Sequence, residues 1–245
     1  MNRKSLIVLN AGSGDDFCSG VKVDGEKMKA FLMSAKGGAW NSDEIEILDF
    51  TNYVPINGIS PKARLLERLQ QIRFSDYAFV LFSGHGRMNH HDETFFGLSN
   101  GNEITDAEIK LLLPTKSTLI MDCCRKKPKA QDVVEAANSR NFSKIAEDSE
   151  YEKRRLRLKF DRFVGEASTA PVYIYSCAPN QYSRDTNEGG LFAKNFIKSA
   201  KDSVQDLTVV GTFNLAHPKV INENHAQTPH ITMVRTGPYF PFAVV

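Results

Sequence analysis

The sequence predicts an α/β fold built on a mainly parallel sheet, and three observations predict it. Four short runs, LIVL at 6–9, FVLF at 79–82, TLIM at 118–121 and VYIY at 172–175, are mostly apolar at successive positions. Strands covered by helices on both faces read that way, whereas half-exposed strands alternate. Stretches with apolar residues three and four apart lie between the runs. The two kinds of segment take turns along the chain, the pattern of strands joined by crossover helices. A chain of 245 residues can bury the core such a sheet needs, and positions 1–245 are read as one domain.

Each element follows from local signals. The opening MNRKSLIVLNAGSGDD has an apolar run too short for a secretory leader, with two acids close behind it, so it reads as a first buried strand. Met28, Phe31 and Leu32 mark a helix after Asp24. The run IEIL at 45–48 alternates more and belongs nearer a sheet edge. Ser60 then Pro61 gives an N-cap and a first-turn proline, ahead of a stripe of Leu65, Leu66, Leu69 and Ile72. TDAE at 105–108 is a capping box, with Thr105 as cap and Glu108 reaching back. Residues 126–170 carry many charges and no strand pattern, and KRRLRLK at 153–159 has bases at five of seven positions. This segment reads either as a solvated helix or as an exposed connection open to cutting. Leu191, Phe192, Phe196 and Ala200 mark another helix, and the ending PHITM…PYFPFAVV fits a last strand loosely.

Composition narrows the function classes. With 41% hydrophobic and 24% charged residues and a formal net charge of +2, nothing calls for nucleic acid. No apolar run reaches membrane-spanning length, so no membrane contact is expected. Cys18, Cys123, Cys124 and Cys177 show neither CxxC spacing nor a nearby Cys/His cluster, so no metal site is expected. Free thiols point to a reducing, cytoplasmic compartment. NAGSGDD at 10–16 lacks the features of a phosphate loop, which weakens a flavodoxin-like binding-domain reading, and no cofactor is expected.

The chemistry gathers at strand ends. Ligands of parallel α/β sheets bind beyond the carboxyl ends of the strands. After FVLF comes SGHG, which places His85 on a glycine-flanked loop; after TLIM comes DCCR. If the two strands are neighbours, His85 and a cysteine share one sheet edge. A thiol is only partly ionised at neutral pH, and an imidazole supplies its base or its cationic partner. Gly84 and Gly86 let backbone approach a substrate carbonyl, so the Gly86 N–H is a candidate oxyanion donor. A loop histidine alone, or a cysteine after a strand alone, is ordinary; the two at strand ends, 39 residues apart, form a constellation.

These residues resemble the caspase-like cysteine peptidases, the group of caspases, metacaspases and their bacterial relatives. The caspase signature is Gln-Ala-Cys-(Arg/Gln/Gly)-Gly, with the histidine about 50 residues upstream; here DCCRK stands in its place. Set on Cys124-Arg125, it makes Cys124 the nucleophile, with its own N–H beside that of Gly86 at the oxyanion. Cys123 takes the alanine position and points back into the core; Asp122 takes the glutamine position, where metacaspases also carry an acid. SGVKVDGEKMKAFL at 19–32 resembles the caspase segment opening the first helix, and YSCAPNQYSRD at 175–185 the stretch with two tyrosine-serine pairs. The resemblance implies a caspase-like three-layer α/β fold with helices flanking a mainly parallel sheet.

It also implies a specificity. Caspases hold an aspartate side chain with two arginines and the glutamine. The matched positions here are Cys18, Asp122 and Asp185, with Ser183 beside them, so the resemblance implies a pocket for Arg or Lys, as in metacaspases. A protein or peptide substrate is expected, and activation by a protein partner, an ion or self-cutting. Where caspases are cut between subunits, this chain has 126–170, so self-cleavage is expected there, around 154–159. A scaffold that has lost catalysis and acts through protein contacts is the competing reading; the presence of both His85 and Cys124 weighs against it.

Overall fold

The computed structural model describes residues 2–99, 101–125 and 148–245. In chain order, β1 (Arg3–Asn10), α1 (Gly20–Met33), β2 (Ile45–Asp49), α2 (Pro61–Gln70) and β3 (Tyr77–Gly84) come first. A small antiparallel sheet, β4 (Gly86–Met88), β5 (Thr94–Ser99) and β6 (Asn102–Thr105), leads into α3 (Asp106–Leu112). Then come β7 (Ser117–Cys123), α4 (Glu150–Glu166), β8 (Val172–Tyr175), the short pair β9 (Asp185–Thr186) and β10 (Gly189–Gly190), and α5 (Leu191–Asp202). The chain finishes with β11 (Leu207–Thr208), α6 (Val209–Glu223), β12 (His230–Met233) and β13 (Pro241–Ala243).

The six-stranded central sheet runs β12-β8-β7-β3-β1-β2, parallel throughout except for β12 against β8. The four apolar runs form its four inner strands, and the alternating run at 45–48 forms an edge. Side-chain alternation divides each strand between two cores. Ile7 and Leu9 face a core with Met28, Phe31, Phe160, Phe192, Phe196 and Phe213 from α1, α4, α5 and α6. Leu6 and Val8 face the other, with Leu65 and Leu69 of α2 and Ile109 of α3. This three-layer arrangement is the fold that the family resemblance implied. Of the closing segment, HITM is the antiparallel edge strand β12, while β13 pairs with β11 away from the sheet.

The helix starts at Ser60 and Thr105 form as their residues dictate. The Ser60 hydroxyl accepts from the Ala63 N–H at 3.2 Å. The Thr105–Glu108 box closes both ways, at 3.1 and 2.9 Å. Helix α1, however, begins at Gly20 and not after Asp24. The Asp24 side chain does not cap this helix; it is buried on the inner face, for reasons seen at the site.

Part of 126–170 also departs from an exposed connection. Residues Glu150–Glu166 form α4, which buries Leu156, Phe160 and Val164. Its bases are tied down: Arg157 grips Glu44 through both terminal nitrogens at 2.8 and 2.5 Å, and Lys159 reaches Asp206 at 2.8 Å. Residues 126–147 of that segment lie outside the described residues. Phe160 is 1% exposed between α4 and the sheet. Phe160→Ala is expected to lower unfolding stability by about 3–5 kcal/mol in chemical denaturation, which a loosely attached helix would not do. Among the described residues no helix is long and apolar enough to cross a membrane.

Candidate active site

Strands β3 and β7 are direct neighbours, with Ser83 opposite Asp122 and Gly84 opposite Cys123. The next residue on each is His85 and Cys124, so parallel register alone brings imidazole and thiol to one edge. Gly84 makes the turn possible: its φ is +142°, and a Cβ there would sit 2.1 Å from the Asn10 carbonyl oxygen. The His85 backbone is pinned on both sides, donating to Asn10 O at 3.3 Å and accepting from Gly97 N at 3.0 Å.

The imidazole is oriented as well. His85 Nε2 lies 3.2 Å from the Ala11 carbonyl oxygen. A carbonyl only accepts, so Nε2 carries the hydrogen and the basic lone pair is on Nδ1. Cys18 Sγ also approaches Nε2, at 3.7 Å. Cys124 Sγ sits 3.6 Å from the Ser183 carbonyl oxygen. The next residue anchors it. Arg125 donates its N–H to Gln181 O at 3.0 Å, stacks its guanidinium 4.0 Å over the Tyr175 ring, and reaches Thr94 Oγ1 at 3.1 Å.

One cavity of about 200 Å³ gathers the candidates: Cys18, His85, Gly86, Asp122, Cys124, Ser183 and Asp185 all line it. Its thiols differ. Burial and the Asp185 charge push Cys18 up to about 12. Cys123 is 1% exposed, packs in the core with Val8 and Phe82, and burial holds its thiol well above the ordinary value. Burial likewise raises Cys177 to about 12. Cys124, half-buried, is the thiol that stands at the strand end beside His85. Gly86 threads between the two adjacent cysteines: a Cβ there would meet Cys123 Sγ at 2.6 Å and the Cys124 carbonyl oxygen at 2.8 Å. Gly86→Ala is therefore expected to displace the strand end and lower peptide turnover at least tenfold, with near-native circular dichroism; unchanged turnover would show that the approach is not needed.

Asp122 and Asp185 line the cavity, and a third buried carboxylate, Asp24, lies close to them. Asp122 Oδ1 accepts from Ser183 Oγ at 2.6 Å, and Oδ2 from the Ala193 N–H at 2.9 Å. Asp185 Oδ2 accepts from the Gly20 N–H at 3.1 Å. Each carboxylate thus serves a helix N-terminus, Asp122 that of α5 and Asp185 that of α1, where anions are favoured. The third, Asp24, is the residue that sequence reasoning missed. It accepts from Ser83 Oγ at 2.7 Å and from the Gly190 N–H at 3.0 Å, fully buried behind Asp122. Its signal was present: Asp24 interrupts the stripe of Val21, Met28 and Phe31, an acid on an apolar helix face. Burial raises all three carboxyls above the ordinary Asp range. For Asp24 the Asp122 charge adds to this, while the Ser83 and Gly190 donors oppose it. For Asp122 the opposition comes from Ser183, Ala193 and, least, Ser176, and for Asp185 mainly from Gly20.

The arrangement suits acyl transfer at a thiol next to an acidic recess. A search of curated proteins finds no match to the chain. The family model described as the caspase domain matches residues 2–240, nearly the whole length and every element that builds the cavity. With that match, the three layers and the histidine and cysteine on adjoining strand ends, the chain belongs to the caspase-domain family of cysteine peptidases.

Proposed function

We propose that the chain is an endopeptidase that cleaves proteins after Arg or Lys, with Cys124 as nucleophile and His85 as its proton partner. The observation that carries this reading is one cavity lined by Cys124 and His85 together with Asp122 and Asp185. His85 Nδ1 takes the thiol proton as Sγ attacks the scissile carbonyl carbon. The C–S bond forms, and the carbonyl electron pair moves onto oxygen, toward the N–H groups of Gly86 and Cys124. Imidazolium then protonates the leaving amine as the C–N bond breaks. Water, deprotonated by His85, attacks the thioester and the C–S bond breaks in turn. Cys18 is a poor rival nucleophile, since burial and the Asp185 charge disfavour its thiolate and the proton-bearing Nε2 beside it cannot accept its proton. Self-cleavage at 154–159 would require α4 to unwind, because a peptidase cleft takes extended chain.

The acids fix a pH dependence. Their values are raised, so they take up protons as pH falls from neutral, at higher pH than free Asp would. Protonated, they no longer attract guanidinium, and kcat/KM for an Arg peptide is expected to fall on the acid side with a midpoint above about 3.9, the ordinary Asp value. The stability contribution has the opposite sense. The folded chain binds these protons more tightly than the unfolded one, so this contribution is present at low pH and diminishes as pH rises from the unfolded value through the raised ones.

The deciding experiment is a peptide-library cleavage profile of the wild type beside Cys124→Ala. Cleavage after Arg and Lys, absent in the variant, is the expected result. Cleavage after Asp alone would overturn the specificity. No cleavage, with no labelling of Cys124 by a thiol-reactive peptide, would leave the scaffold reading.

A further inference from the structure

Gln227 lies in the turn between α6 and β12, with no exposed surface. A glutamine buried this completely needs partners for its amide, and its partners are informative. Nε2 lies 2.9 Å from the Ser176 carbonyl oxygen and 3.2 Å from Ser183 Oγ. Oε1 lies 3.0 Å from the Arg184 N–H. Ser176 O can only accept and Arg184 N can only donate, so the two backbone groups settle which end of the amide is which. One amide hydrogen goes to Ser176 O; the other is left for Ser183 Oγ. Having accepted there, the serine hydroxyl directs its own hydrogen to Asp122 Oδ1, 2.6 Å away.

We infer that Gln227 is a positioning residue for substrate choice: its amide turns the Ser183 hydroxyl hydrogen onto Asp122, holding that carboxylate as an anion for a cationic substrate side chain. The inference rests on the proposed Arg/Lys specificity and deepens it. Gln227 touches neither substrate nor nucleophile and acts through Ser183, whose carbonyl borders Cys124. The groups whose charge bears on Asp122 are Asp24 from α1, Asp185 from β9, Cys123 from β7, and Cys177 after β8. None of them holds Ser183 in place, so the orienting task falls to Gln227.

The test compares an Arg peptide with its citrulline isostere, equal in shape and uncharged, across pH. Gln227→Leu is expected to lower the Arg-to-citrulline ratio of kcat/KM about tenfold and to move the acid limb of the Arg profile up by about one pH unit. In a Ser183→Ala background, the same substitution should change the ratio less than about twofold, because the hydroxyl it orients is gone. Ser183→Ala alone should reproduce the shift, and Ser183→Thr, which keeps the hydroxyl, should return the wild-type ratio and acid limb. A purely structural role would lower both substrates together and leave the acid limb in place, and that outcome overturns the inference. So does Arg preference that survives Ser183→Ala unaltered, a result readable even if Gln227→Leu does not fold. A wild type without preference for Arg over citrulline overturns the specificity reading itself, and is thereby told apart.

Discussion

Cys124→Ala is expected to abolish peptide cleavage, and His85→Ala to do the same, each by several orders of magnitude in kcat/KM. Nucleophile and base act as a unit, so the double variant should be no worse than either single one. Cys123→Ala should keep most of the activity, because that thiol faces Val8 and Phe82 across the core and not the cavity. Cys18→Ala should leave Cys124 open to a small alkylating reagent. The measurement is steady-state cleavage of an Arg peptide together with mass-spectrometric mapping of the labelled thiol. An inactive Cys123→Ala beside an active Cys124→Ala would place the nucleophile one residue earlier and sink the assignment.

The second large effect belongs to Asp122. Asp122→Ala is expected to lower cleavage after Arg by roughly two orders of magnitude, since removing one member of a desolvated charge pair costs on the order of 2–5 kcal/mol. Labelling of Cys124 by iodoacetamide should continue, which separates lost recognition from a lost nucleophile. Arg should lose more than Lys, because a guanidinium can meet a carboxylate through two parallel hydrogen bonds and an ammonium cannot. Equal losses for Arg and for an uncharged side chain would show that Asp122 only closes the end of α5 and does not read the substrate.

Where the sequence was legible, and where it was not, follows from how far each signal reaches along the chain. Inner strands declared themselves because both faces are covered, and Ser60 and Thr105 declared helix starts because their partners lie within three residues. His85 and Cys124 were legible because parallel register turns two strand ends into neighbours. Helix α4 was half legible: a solvated helix was one of two readings, but its buried face went unread because that face is narrow, Leu156, Phe160 and Val164 at four-residue spacing, and charges crowd the rest. Those charges have partners in distant segments, Glu44 and Asp206, which local pattern cannot show. The small sheet β4–β6 went unread because its strands are short and partly exposed. Gln227 was beyond reach: a glutamine in a turn reads as solvent-facing, and its partners lie more than 40 residues away.

Asp122 and Gly190 form a pair with consequences for redesign. A Cβ at Gly190 would lie 2.6 Å from Asp122 Oδ2, so the glycine at the start of α5 is required as long as the aspartate is present. Gly190 offers the helix no side-chain cap of its own, and the aspartate supplies one from another strand. Substituting Asp122 alone to redirect specificity therefore also strips α5 of its cap, a loss of about 0.5–2 kcal/mol. Gly190→Ser alone collides with the carboxylate. Made together with Asp122→Ala, the serine is left with the Asp24 Oδ2 contact at 3.0 Å, which has to yield by a few tenths of an ångström, so the double variant should be more stable than the two single changes predict by addition. Evolution or engineering of a new side-chain preference in this cavity accordingly has to move through both positions at once.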